Sequence, residues 1–257
     1  MNFNIAEISA WAPAFVLVLA RVGAAMALLP GVGEAGSPAI VRIGLALGLT
    51  VLLLPAVQPL VPPLPAMSLN LALMIAGEVV TGLSFGWIAR AVVLAFAVAA
   101  QLIGYLVGLS SILQPDPELG AQSGALAKLF SLGIPVILLT TSLYTLPLIA
   151  LTGLFQIIPP GHMPPFGENL QVAIHAVGVE FGLAVQLASP FVVSAVAWNL
   201  AMGLISRVVP RMQIYFVSMP GQIMVGLALL AMTSGAIVLA WRNEVAAFMN
   251  TLPGSAG

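Results

Sequence analysis

The chain has 257 residues, of which 61% are hydrophobic and 6% charged, with a mean hydropathy of +1.14. A soluble domain carries about 25% charged residues, so a water-facing globule is excluded, and an integral membrane protein or a subunit buried in an assembly remains. The formal net charge of −1 gives no electrostatic case for nucleic acid, and the absence of cysteine excludes disulfides, thiolate zinc sites and thiol catalysis.

The N-terminal "MNFNIAEISAWAP" has no positive n-region and its first charge is Glu7, so it reads as no cleavable signal. Apolar segments then follow at 10–29, 39–57, 68–107, 125–158, 170–205 and 214–241. They are continuous rather than alternating, so they predict helices and not barrel strands. The fold class is all-α and polytopic. Proline- and glycine-rich breaks separate the segments at Pro30–Pro38, Pro55–Pro65, Pro159–Gly167 and Arg207–Met212. Proline lacks the amide donor and disfavours helix just before it, which predicts boundaries or sharp kinks there. The third segment holds 40 residues without a proline. As one helix it would be about 60 Å long, twice the hydrocarbon thickness, so it is either a bent hairpin or a helix too long for one bilayer. A polar stretch, "GLSSILQPDPELGAQSGALAKLF" from Gly108 to Phe130, interrupts the apolar run and carries three of the fifteen charged residues. The tail "NTLPGSAG" is expected to fray.

Arg21, Glu78, Arg90 and Glu180 lie inside apolar segments. A charge at bilayer depth costs about 2.5–3.5 kcal/mol unless partnered. Glu78 and Arg90 are twelve residues apart and out of phase on a helix, and Glu180 has no basic residue within four positions. Their partners therefore lie on other helices, on other subunits or in a polar cavity. A structural role in fixing helix registry is favoured over an ion relay. Small-residue pairs at i, i+4 (Gly44/Gly48, Gly82/Gly86, Gly104/Gly108 and Gly178/Gly182) predict close helix contact, within the chain or with another. Arginine and lysine are too sparse in the loops to fix an orientation. For catalysis, "AQSGA" around Ser123 with His175 as a base is the one candidate, and a capping serine with a helix-bonding histidine explains both more simply. No zinc helix and no phosphate loop occurs. No catalytic residue, cofactor or metal is expected.

Three stretches carry a resemblance. They are "RVGAAMALLPGVGEAGSPAIVRIGLALGLTVLLLP" (Arg21–Pro55), "GEVVTGLSFGWIARAVVLAFAVAAQLIGYLVGLSSILQPDPELGAQSGALAKLF" (Gly77–Phe130) and "GLISRVVPRMQIYFVSMPGQIMVGL" (Gly203–Leu227). The pattern includes Arg21, Pro30, Pro38, Arg42, Pro55, Glu78, Gly82, Gly86, Arg90, Gly104, Gly108, Leu109, Ser110, Arg207, Pro210, Ile214 and Pro220. Together they resemble the FliR family of flagellar export-gate subunits, whose injectisome relatives are the T subunits; the wording favours the flagellar branch. The resemblance implies a non-enzymatic channel subunit of the bacterial inner membrane and flagellar basal body. Its partners would be P-, Q- and B-type subunits in a hetero-oligomer of kinked hairpins, and its cargo unfolded export substrates. Residues 1–179 would pack like a P subunit and 180–245 like a Q-subunit hairpin, with most helices above the membrane plane in the assembly.

The resemblance also gives the polar stretch a use, as a plug in the channel lumen. Irregular backbone at membrane depth is tolerated only where protein buries it or water lines it. Gly108 would give a flexible departure. Leu109, Ile112 and Leu113 would be stoppers, with Ser110 and Asp116 in the same segment, and Pro115 and Pro117 would keep the helix from continuing. The plain alternative for this stretch is an external loop. The alternative function is an ion-coupled carrier of a small solute, which asks for broken helices paired between two halves; the breaks here do not pair.

Overall fold

The computed structural model describes residues 5–33, 38–62, 68–109, 125–208 and 214–255. Among the described residues seven α-helices run in order: α1 (Ile5–Leu28), α2 (Ala39–Val57), α3 (Ser68–Val107), α4 (Ala125–Thr140), α5 (Thr145–Ile157), α6 (Phe166–Val208) and α7 (Ile214–Met249). No strand occurs among the described residues, and the chain is all-α. Among the described residues five helical stretches are long and apolar enough to cross a membrane: Trp11–Leu28, Ala39–Leu60, Leu69–Val107, Phe166–Arg207 and Ser218–Met249. The chain is thus a polytopic membrane protein.

The 40-residue third segment is one continuous helix, not a hairpin. Nothing in it removes a backbone donor, so the i→i−4 ladder runs unbroken for about 60 Å. At Pro55 the helix outlasts the expected boundary. Proline forfeits its own bond to the preceding turn, yet Gln58 N–H still reaches Leu54 O and α2 continues to Val57 before a 3₁₀ turn at Gln58–Leu60. The single apolar segment expected over 125–158 is instead two helices, α4 and α5, bent by 71°. Hydroxyl groups line this stop. Thr141 Oγ1 donates to Ile137 O at 2.6 Å, Ser142 adopts a left-handed φ of 57°, and Thr145 Oγ1 bonds back to Ser142 O at 2.7 Å. Both carbonyls also accept backbone N–H groups, from Thr141 at 3.0 Å and Thr145 at 3.1 Å, so the hydroxyls reinforce the turn.

Contacts divide the chain into two units. The first comprises residues 1–93, 135–177 and 246–257. Its core contains a stripe of α1 at helical spacing, Ala14, Leu17, Val18, Val22 and Ala25, continued by Leu29 just past the helix, all buried. Phe85, Ile88 and Ala89 of α3 and Leu151, Leu154 and Phe155 of α5 are buried in the same unit. The tail expected to fray belongs to it too: Leu252 is buried, Thr251 N–H bonds to Phe248 O at 2.9 Å, and the backbones of Gly254 and Gly153 touch. Two glycines facing each other remove the side chains that would hold those backbones apart. The second unit comprises residues 94–134 and 178–245. In it the Phe96 ring lies 4.6 Å from Phe130 and 4.9 Å from Trp241, and Leu187 and Phe191 of α6 are buried.

Candidate functional site

The buried stripe of α1 contains one charge. Arg21 falls on it by position, four residues after Leu17 and four before Ala25, and is fully buried. Its counterpart is Glu78, ten residues into α3 and equally buried. What brings them within reach is the pair Gly82 and Gly86, one and two turns beyond Glu78. A Cβ on Gly82 would collide with the Arg21 carbonyl and stand 2.9 Å from Ala24 Cβ; on Gly86 it would stand 2.8 Å from Ala25 O. The two helix backbones therefore touch along this edge, as small residues permit.

At that separation the ion pair is bidentate. Arg21 Nε donates to Glu78 Oε2 at 2.6 Å and Nη2 to Oε1 at 3.1 Å. The third guanidinium nitrogen, Nη1, donates to Ile158 O at 2.8 Å. That carbonyl closes the end of α5, where the helix dipole favours a cation. The Phe155 ring lies under the guanidinium, 4.3 Å from its carbon. Glu78 Oε1 also accepts the backbone N–H of Gly161 at 2.6 Å, in the turn that leads to α6, where Gly161 takes a φ of 82°. Two side chains thus join α1, α3, the end of α5 and the following turn, with both carboxylate oxygens and all three guanidinium nitrogens bonded. Such a centre resists motion; it offers no nucleophile and no open ligand position. Among the described residues no three His, Asp or Glu gather where they could hold a metal.

The other charges separate. Arg90, which sequence spacing sets out of phase with Glu78, donates Nη1 to Gly33 O at 3.0 Å. Arg42 stands in the first turns of α2 and lines a groove with Gly23, Met26 and Ala46. Glu180 is half-buried in the second unit, and Arg207 is exposed near the end of α6. Pro30 is buried in the turn after α1, and Pro38 is exposed just before α2. The glycine pairs differ: Gly44, Gly48, Gly178 and Gly182 have open space where a Cβ would stand, and Gly104 faces Leu126 at 3.9 Å. His175 is exposed, its ring 6.1 Å from that of Phe248, while Ser123 lies outside the described residues.

Of the expected plug, Gly108 and the half-buried Leu109 are described; Ser110, Ile112, Leu113, Pro115, Asp116 and Pro117 lie outside the described residues, as does Pro210. Gly108 has a φ of 88°, and its N–H bonds to Tyr105 O at 3.1 Å. That geometry ends α3 with a glycine in the left-handed region, where other residues are strained. Just before it, Gln222 Nε2 of α7 donates to Leu106 O at 2.8 Å. Pro220 lies inside α7, two residues before that glutamine. Neither Gln222 nor the backbone partners of Arg21 and Glu78 stood out in the sequence. Gln222 left a trace there, as an amide in an apolar helix; the Ile158 carbonyl and the Gly161 amide left none, since backbone groups are the same at every position.

Comparisons with known proteins bear on the whole chain. The model of the family described as bacterial export proteins, family 1, matches residues 12–248. Flagellar biosynthetic protein FliR of Caulobacter vibrioides is 33% identical over 228 residues, covering 89% of this chain and 91% of the relative. Flagellar biosynthetic protein FliR of Bacillus subtilis is 28% identical, covering 93% of each. Secretion system apparatus protein SsaT of Salmonella typhimurium is 26% identical, covering 83% of this chain and 84% of the relative.

Proposed function

The chain belongs to the bacterial export proteins, family 1, and from that premise we propose that it is a non-enzymatic channel subunit of the flagellar protein-export gate. As a component of a flagellar or type III export apparatus it works beside other subunits; the reading makes these the P-, Q- and B-type membrane subunits, in the bacterial inner membrane. It conducts unfolded export substrates and helps to close the idle pore. The flagellar branch is favoured by the 33% identity to a flagellar protein against 26% to the secretion-system one.

The observation that carries the reading is the end of α3. An apolar helix of 40 residues, long enough to cross a membrane, stops at a left-handed glycine, and a stretch with two prolines and two carboxylates follows before α4. Lipid does not tolerate such a stretch, and a lumen does. Gly108–Pro117 is the stopper on this reading, with Leu109, Ile112 and Leu113 as its apolar face. Arg21 and Glu78 have the structural part of holding the helices that frame it.

Deleting Ile112–Gln122 from the chain within the reconstituted complex tests this. The complex is expected to assemble as before and its small-ion conductance to rise about tenfold or more, because a tight apolar constriction has been removed. Conductance equal to wild type would overturn the plug.

A further inference from the structure

A buried polar group needs a partner, and an N–H enclosed without an acceptor is costly. In the second unit the indole nitrogen of Trp198, on α6, has no contact with solvent and no acceptor among the described residues. The ring is fixed by close packing. A Cβ on Gly221 of α7 would stand 2.8 Å from Cη2 and 3.0 Å from Cζ2. Cζ2 neighbours the ring carbon that carries Nε1, so the edge of the indole with its N–H is the edge that adjoins α7. The next residue of α7, Gln222, spends Nε2 on Leu106 O at 2.8 Å. Turning that amide over would set its oxygen against a carbonyl, so Oε1 keeps the other branch as an acceptor. Trp198, Gln222 and the half-buried Ser194 border a space of about 10 Å³, room for one water molecule. The rest of the lining is apolar, with Val107 and Phe191 in it, and no charged side chain faces the space.

We propose that this space is a binding site for a single structural water. The water accepts the Trp198 N–H and donates to Gln222 Oε1 and Ser194 Oγ, three bonds, the usual number for a buried water. The volume excludes a larger ligand, and an ion would find no opposite charge in the lining. A purely apolar space of this size would stay dry; three convergent polar groups make it wet. The water links α6 to α7, and through the Gln222 amide it reaches the last turn of α3. It also gives position 198 a reason to carry an indole rather than a phenyl ring, since only the indole has a donor to offer.

The test is a cryo-EM map of the whole reconstituted complex, fine enough to show ordered water. Density for one water is expected within hydrogen-bond distance of Trp198 Nε1, Gln222 Oε1 and Ser194 Oγ. A dry space, or a Trp198 N–H bonded to an acceptor from another chain, overturns the proposal. Variants supply a second arm. Trp198→Phe removes the donor, and its complex is expected to lose the water. Ser194→Ala removes one acceptor and is expected to weaken the density. Ser189→Ala, on the exposed side of the same helix, where the hydroxyl bonds only to Gln186 O, should leave it as in wild type. Water density that persists unchanged in Trp198→Phe is held by other groups and overturns the assignment. Should Trp198→Phe not assemble, Ser194→Ala decides in its place, with unchanged density counting against the site. Should neither assemble, the wild-type map decides alone.

Discussion

Arg21 and Glu78 have each lost all contact with solvent, and their stabilisation comes from each other, from backbone groups at Ile158 and Gly161 and from the Phe155 ring. Breaking a buried pair by removing one partner costs about 3–5 kcal/mol, because the survivor is left uncompensated, whereas replacing both by apolar groups costs far less. Arg21→Met alone and Glu78→Leu alone should therefore each destabilise the chain by about that amount, and the double variant by less than either. Thermal unfolding of the four proteins in the assembled complex measures it; additive losses would sink the argument. The sequence located both charges inside apolar segments and required partners on other elements. It could not pair them. Four scattered charges allow several pairings, and the choice rests on which helix edges lack a Cβ.

That choice is made by helix packing. Four glycine pairs share one spacing, and only the surroundings tell them apart. Gly82 and Gly86 stand against the α1 backbone, while Gly44, Gly48, Gly178 and Gly182 face open space within this chain. Gly82→Ala should push α1 from α3 and cost about 1–3 kcal/mol or more through overpacking. Gly44→Ala should leave the fold of the chain intact and add up to about 1 kcal/mol of helix propensity. Protease-resistant yield compares the two, and equal yields would show that the Gly82 contact is dispensable. Other features of these helices were plain in the sequence to different degrees. The length of α3 was open to reading because no proline interrupts it. The stop between α4 and α5 was hidden, since Thr140, Thr141 and Ser142 are a short polar step inside a long apolar run, and the left-handed turn at Ser142 leaves no mark in the residue types. The docked tail was hidden as well, because a contact between Gly153 and Gly254 has no periodicity to betray it.

Across the molecule, burial is uneven. The membrane-crossing window of α3 is 50% buried inside the chain, and that of α7 only 11%, although α7 has the higher mean hydropathy at 2.3. Large side chains such as Met232, Met224, Leu204 and Leu200 stand exposed. An apolar surface of this extent is covered by lipid or by neighbouring proteins. On the export-gate reading neighbours cover much of it. The chain produced without its companion subunits should then be degraded several-fold faster than the chain produced with them; pulse-chase half-lives test this, and equal half-lives would favour lipid alone. That it is helical and crosses membranes was legible from composition; which faces await a neighbour was not, because lipid-facing and protein-facing apolar side chains are alike. The Arg21–Glu78 bond has one more consequence, in biosynthesis. Its partners are 57 residues apart, with α2 between them. A ribosome adding about 5–20 residues per second delivers the carboxylate roughly 3–11 s after the guanidinium. For those seconds α1 carries an arginine whose buried partner has not been made, so the lock between α1 and α3 can close only after α3 emerges.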